Sequence, residues 1–220
     1  MCNHEIDWTD GDVPVSRHYG DTFYSKADGL AESRYVFLEG NDLPGRFAPG
    51  FHIAELGFGT GLNALAAWAA WGASGQAGPL RFTSFEAHPI DADDMARALA
   101  LWPEIGERAD ALVSAWREGA RRMVLGSLEL VVVEGLAEVL LPGWDGKADA
   151  WFLDGFSPEK NPALWSPGLL AEVARHTSPV GTCATYSAAG HVRRSLEAAG
   201  FAVERRAGFG TKRHMSVGRL

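Results

Sequence analysis

Cysteine is scarce in this chain: two in 220 residues, Cys2 and Cys183, the first directly after Met1. So small a supply excludes a disulfide framework and points to a reducing compartment. No apolar run reaches the roughly 18 residues of a spanning helix, and residues 1 to 12 are acidic where a signal peptide is basic and then apolar. A cytoplasmic protein with no membrane partner and no metal is expected. Internal repeats and low-complexity segments are missing as well. Positive charge is short overall, with a net charge of −8, which argues against indiscriminate nucleic-acid binding.

That charge is unevenly spread. From Arg193 to Leu220 seven basic residues stand against two acidic ones, a local +5, so the remaining 192 residues carry −13. Such a basic end on an acidic body suits an anionic partner or a solvated surface. The length is that of one decorated domain. Residues 1–50 mix aromatic residues with turn formers and read as an irregular, partly helical extension packed on a core domain of residues 51–220. Within that core, apolar runs at 51–56, 80–86, 128–133, 149–153, 180–186 and 201–205 predict strands. Helical patterns at 62–71, 91–101, 107–123, 135–141, 167–176 and 189–199 lie between them.

Alternation of this kind predicts an α/β fold with a mostly parallel sheet covered on both faces. The closing runs at 201–206 and 212–218 are too close for a helical crossover and predict an antiparallel C-terminal hairpin. This layout is similar to that of the Rossmann-like class I S-adenosylmethionine-dependent methyltransferases. In open sheets of this type, ligands sit beyond the carboxyl ends of the strands.

At the end of the first core strand stands Glu55-x-Gly57-x-Gly59-x-Gly61. A dinucleotide fingerprint fails because Leu62 occupies the third glycine position, and a P-loop fails because no Lys-Ser or Lys-Thr follows. The glycines permit positive φ and a close backbone approach to a nucleoside. Glu55 would repel a pyrophosphate and attract a cationic amino-acid moiety, which favours S-adenosylmethionine. Glu86 ends the next strand, where such sheets place the acid that accepts from ribose hydroxyls.

The fourth core strand delivers Asp154, followed by Gly155, Phe156 and a proline-punctuated loop. An Asx turn or N-cap is the ordinary use of an aspartate there. The functional use is at an amine. Methyl transfer to nitrogen needs a free lone pair, whereas an alkylamine has a pKa near 10.4, and a carboxylate in reach can orient the amine and take its proton. Phe156, Trp165 and Tyr24 are candidates to wall the site or stack on a base.

The segments "GDTFYSKADGLAESRYVFLEGNDLPGRF", "AELGFGTGLNALAAW", "SFEAHPI", "DAWFLDGFSPEKNPALW", "TYSAAGHVRRSLEAAGF" and "GFGTKRHM" carry a resemblance across nearly the whole chain. In that order they resemble the methyltransferase domain of the MnmC family, which serves tRNA 5-methylaminomethyl-2-thiouridine biosynthesis. The resemblance implies methylation of 5-aminomethyluridine at the tRNA wobble position from S-adenosylmethionine. Asp154 then matches the acid at the reacting amine. The cofactor set is Glu55, Gly57, Phe58, Gly59, Thr60, Gly61, Asn63, Glu86, Asp154 and Tyr24. Phe156 and Trp165 are placed at the substrate, with Arg193, Arg194, Lys212 and Arg213 on the phosphates of an anticodon stem-loop.

Two departures bear on this. Relatives often carry a fused flavin oxidoreductase domain, and the sequence ends at Leu220, so a separate enzyme is expected to supply the aminomethyl group. After the third core strand the family shows Gly-Asp where this chain reads Glu134-Gly135-Leu136, so either Glu134 substitutes at the adenine side or the contact is missing.

Overall fold

Runs of β-branched and aromatic residues bounded by glycine build the centre of the molecule, a sheet of eight strands. The structure, a computed structural model, describes residues 5–9 and 11–220. Cys2 lies outside these residues. In chain order the elements are β1 (Ile6–Trp8), β2 (Pro14–Ser16), β3 (Asp21–Thr22), α1 (Gly29–Ser33), β4 (His52–Leu56), α2 (Leu62–Ser74), β5 (Leu80–Glu86), α3 (Ala92–Leu99) and α4 (Gly106–Arg117). There follow β6 (Arg122–Leu125), β7 (Leu128–Glu134), α5 (Ala137–Leu140), β8 (Ala148–Leu153), α6 (Pro167–Arg175), β9 (Thr177–Thr185), α7 (Gly190–Ala198), β10 (Ala202–Ala207) and β11 (His214–Arg219).

The sheet order is β10-β11-β9-β8-β4-β5-β7-β6. Its five middle strands, β9, β8, β4, β5 and β7, run parallel, while β10, β11 and β6 pair antiparallel at the edges. The chain leaves β4 toward β5 and β7, then returns to β8 and β9 on the other side. That reversal opens a crevice at the carboxyl ends of β4 and β8, where open sheets bind ligands. A mostly parallel α/β sheet with an antiparallel C-terminal hairpin is therefore borne out.

β4 is buried along its whole length, as expected of a central strand covered by helices on both faces. Ile53, Phe82 and Phe152 pack toward α2 and the extension, whereas Leu56, Phe85, Trp151 and Leu153 pack toward α5, α6 and α7. Local signals set the helix starts. Asp91 caps α3 by accepting from the Asp93 and Asp94 amides, and Ser166 caps α6 through the Leu169 amide.

Two expectations need correction. The helix expected over 107–123 ends at Arg117, because Gly119 takes a left-handed φ of +82° and turns the chain into β6, which pairs with β7. Residues 5–22, read as irregular, hold the three-stranded antiparallel sheet β1-β2-β3, whose strands of two or three residues are too short to show a period. Beyond it α1 runs on through a wider helical turn at Arg34–Leu38.

Leu30, Val36 and Phe37 of the extension share one core cluster with Ile53 and Leu65. At the opposite end of the sheet Arg46 donates to the carbonyls of Asn41, Asp149 and Val180 and to Thr182 Oγ1. Cys183 on β9 is a free thiol, and burial pushes its pKa up to about 12.

Candidate active site

Every parallel strand contributes its exit loop to one cavity of about 390 Å³ at the carboxyl edge of the sheet. The exits of β4, β5, β7 and β8 supply Gly57 to Thr60 with Leu62 and Asn63, Phe85 to His88, Gly135 to Glu138 and Asp154 to Ser157, whereas Gly61, expected at the cofactor, packs against Leu112 and Phe58 and does not line the cavity. Tyr186 follows β9, and the extension closes the top with Tyr19, Phe23, Glu32 and Ser33. The size falls in the usual range for small-molecule sites.

The glycine turn is built from close approaches. Gly57, Gly59 and Gly61 have φ of +92°, +53° and +79°. A Cβ on Gly57 would lie 2.5 Å from the Asp154 carbonyl oxygen, and one on Gly61 would lie 2.7 Å from Leu112. Only glycine satisfies both the angle and the space there. The turn is held from the next strand, since Glu86 Oε2 accepts from the Gly59 amide at 3.0 Å and Oε1 from the His88 amide at 2.7 Å. Phe58 stacks on Trp116 beneath the turn, and Thr60 is buried within it.

Asn63, on the first turn of α2, gathers the polar groups of the site. Its Nδ2 donates to Asp154 Oδ2 at 2.6 Å and to Glu55 Oε1 at 2.9 Å, while its Oδ1 accepts from Ser33 Oγ at 2.5 Å. Burial pushes Asp154 up to about 7, against the Asn63 hydrogen bond; Glu32 raises it further and Lys212 lowers it. Among the described residues no protein hydrogen bond reaches Asp154 Oδ1. An acid half ionised near neutrality, with one oxygen anchored and the other open to a cavity, is suited to exchange a proton with an amine.

The expected site residues do not all meet. Glu55 was expected to present a charge to the ligand, yet it lies one layer beneath the cavity. It accepts from Asn63 and, at 2.7 Å, from Ser84 Oγ, its register partner on β5. Complete burial holds its carboxyl well above the usual range, so it positions Asn63 rather than a ligand. Tyr24 lines the cavity, but its hydroxyl donates to the carbonyls of Ala98 and Asp12 and its ring packs edge-on against Trp102. Trp165 is buried outside the cavity, and its indole nitrogen donates to the Phe156 carbonyl, so it supports the wall instead of forming it. Phe156 does line the cavity, with the Tyr19 and Phe23 rings 4.7 and 5.2 Å away.

The basic end is partly consumed. Arg219 and Arg206 pair with Asp42, and Lys212 pairs with Glu32 inside the cavity. Arg193 and Arg194 on α7 and Arg213 on the hairpin turn do not line the cavity, and among the described residues none makes an ion pair. Glu134, expected as a substitute contact for adenine, faces Arg121 and does not line this cavity, leaving half-exposed Leu136 at the wall. Glu32, Ser33 and Tyr186 escaped the sequence reading, although each lies in a segment that carried the resemblance, because their meeting depends on contacts between distant parts of the chain.

Residues 103–220 match a protein family described as S-adenosyl-L-methionine-dependent methyltransferase. The chain belongs to that family. Its cofactor is S-adenosylmethionine, and the methyltransferase cavity fits it. The bare glycine turn leaves room for a nucleoside, and the Glu86 carboxylate lines the cavity with lone pairs left beyond its two amide donors, the chemistry that suits hydroxyl donors.

Among curated proteins, the methyltransferase is 46% identical to the tRNA 5-methylaminomethyl-2-thiouridine biosynthesis bifunctional protein MnmC of Stutzerimonas stutzeri, over 98% of this chain and 34% of that protein. It is 49% identical to the protein of the same name from Caulobacter sp., over 94% of this chain and 36% of that one. The chain thus spans about a third of the length of these relatives. Among solved structures, MNMC2 from Aquifex aeolicus superposes with a TM-score of 0.81 at 24% identity, covering 99% of this chain and 70% of that one. A methyltransferase from Pyrococcus furiosus gives 0.51 at 16% identity, over 87% and 83%. Both share the fold.

Among the described residues no helix is long and apolar enough to cross a membrane, and no group of three or more His, Cys, Asp or Glu side chains is placed to hold a metal ion.

Proposed function

We propose that this methyltransferase acts in the cytoplasm on the aminomethyl group of wobble 5-aminomethyluridine in tRNA, giving 5-methylaminomethyluridine. The observation that carries the reading is Asp154: a carboxyl pushed up to about 7, open to the cavity beside the glycine turn, in a chain nearly half identical to MnmC proteins along almost its whole length.

When bound, S-adenosylmethionine supplies an electrophilic methyl group on a sulfonium. The chain's own residues do the rest. Gly57, Gly59 and Glu86 bind the nucleoside part, and Asn63 fixes Asp154 through Oδ2. Asp154 Oδ1 accepts a proton from the acceptor ammonium and so frees the nitrogen lone pair; as the N–C bond forms, the bond between the methyl group and the sulfonium breaks with its electron pair left on sulfur as a neutral thioether, and the positive charge passes to the methylated nitrogen. Phe156, Tyr19 and Phe23 form an aromatic wall suited to an unstacked base, and the extension over the crevice limits water. Arg193, Arg194 and Arg213 meet phosphates of the anticodon stem-loop. The acceptor already carries its amine, so an aminomethyl-forming or unmasking reaction must precede this one. Residues 51–220 form the catalytic domain, and residues 1–50 its cover.

Transfer of label from S-adenosylmethionine to tRNA bearing 5-aminomethyluridine, with 5-methylaminomethyluridine found by nucleoside mass spectrometry, is the expected result. Label confined to protein or to small amines would replace this reading with a methyltransferase of another substrate class.

A further inference from the structure

Lys212 does not behave as a peripheral phosphate contact. Its Nζ reaches into the cavity, donates to Glu32 Oε1 at 2.7 Å and stands 4.2 Å from the centroid of the Tyr186 ring. Glu32 has a side chain only 10% exposed, and its other oxygen accepts from the Ser25 amide at 3.1 Å. The Tyr186 hydroxyl donates at 2.7 Å to the carbonyl of Gly155, the residue after Asp154, which locks the ring face toward the cation. A carboxylate facing an aromatic ring across an ammonium is the chemistry that recognises alkylammonium groups. Asp154, Glu32, Tyr186 and Lys212 line the same cavity.

A lysine ends in CH₂–NH₃⁺, as does the acceptor proposed above. We propose that the Glu32–Tyr186 cage is the docking site of the acceptor's ammonium, that Lys212 fills it in the resting chain, and that the incoming amine displaces Lys212. This rests on the reading of the acceptor as a primary alkylamine. While Lys212 is in place, its ammonium pairs with Glu32 and occupies the space between that carboxylate and the Tyr186 ring. After displacement the acceptor stands in the cavity that Asp154 Oδ1 faces. The resident cation lowers apparent acceptor affinity by the fraction of time that it holds the cage.

The test uses Lys212→Ala and Lys212→Met, the second retaining a stem to pack on Tyr186. Thermal unfolding is followed in ethylammonium chloride and in sodium chloride at equal ionic strength. Both variants are expected to gain several degrees in ethylammonium relative to sodium, and the wild type none. In steady-state assays the variants should show a severalfold lower KM for the aminomethyl tRNA, with S-adenosylmethionine affinity unchanged by calorimetry. A raised acceptor KM, or equal unfolding in the two salts for both variants, overturns the proposal. The two readings separate cleanly: a wild type that never methylates aminomethyluridine removes the functional reading, while ethylammonium stabilisation of the variants alone supports the cage.

Discussion

Asn63 Nδ2 lies 2.6 Å from Asp154 Oδ2, and the same nitrogen lies 2.9 Å from Glu55 Oε1. One amide thus joins the end of β4 to the end of β8, and Ser33 of α1 fixes the amide in turn. Two enclosed carboxyls sharing one donor cannot both be comfortably ionised, and both are raised. Glu55 is sealed, and burial holds its carboxyl well above the usual range; Asp154 lines the cavity and is pushed up to about 7. Burial is the largest cause for both, opposed by the hydrogen bonds each accepts.

Replacing Asp154→Asn keeps an oxygen for Asn63 to donate to, and removes the proton acceptor. Label transfer should fall by about 10² to 10⁴. Thermal stabilisation by S-adenosylmethionine should persist, and the ligand-free variant should unfold at an equal or higher temperature because no carboxylate is enclosed. Unchanged turnover in this variant removes Asp154 from its role.

The pH profile carries the same group. Asp154 must be ionised to take a proton, so kcat/KM should rise with pH through about 7. Binding the acceptor ammonium beside the carboxylate favours its ionised form, so the acidic limb of kcat should lie lower than that of kcat/KM. Stability runs the other way. A folded-state pKa above the unfolded value means that the folded chain holds a proton which the unfolded chain releases, so this contribution is present below about pH 4 and is lost as pH rises through about 7. Stopped-time assays and unfolding scans from pH 5 to 9 measure both.

Asn63→Ala leaves two enclosed carboxyls without their shared donor. A loss of about 1 to 3 kcal/mol is expected, near 2 to 4 °C in Tm for each kcal/mol. The hydrogen bond that lowers Asp154 disappears as well, so the acidic limb of kcat/KM should move to higher pH. A purely structural role would lower Tm and leave the limb in place.

Gly57→Ala places a Cβ against the Asp154 carbonyl at a φ that costs an L-residue about 1 to 2 kcal/mol. The turn must shift, so stabilisation by S-adenosylmethionine should vanish in calorimetry even where the variant stays folded at low temperature.

Arg194→Ala/Arg213→Ala removes two cations that make no internal ion pair among the described residues. Loss of two phosphate contacts should flatten the slope of log K for tRNA against log salt by about 2. Lys212→Ala, whose cation is spent on Glu32, should leave that slope unchanged in filter binding.

The central strands were legible because each is a buried run ended by a chemical signal: Leu56 before the glycines, Glu86, and Leu153 before Asp154. β1, β2, β3 and β6 were not, since strands of two to four residues carry no period of their own and form only against a partner. In the site, Gly57, Gly59, Asn63, Glu86, Asp154 and Phe156 were read as cavity residues and do line it, while Gly61 packs beneath them against Leu112. Glu55 and Lys212 were assigned the wrong neighbours. Glu55 looked like a charge at a loop mouth, but nothing local reveals Ser84 beside it on the next strand; Lys212 looked like one of a basic cluster, with Glu32 180 positions away.

The order of apolar runs and the φ-permissive glycines determined, from the sequence by itself, a parallel sheet with a nucleoside-sized turn at its edge. Those features act over a few residues, so the chain writes them down directly. Which carboxyl is sealed, which is open and which holds a lysine was decided only by tertiary structure. Desolvation and pairing depend on what lies within a few ångströms in space, and folding brings those groups from separate strands, the N-terminal extension and the closing hairpin.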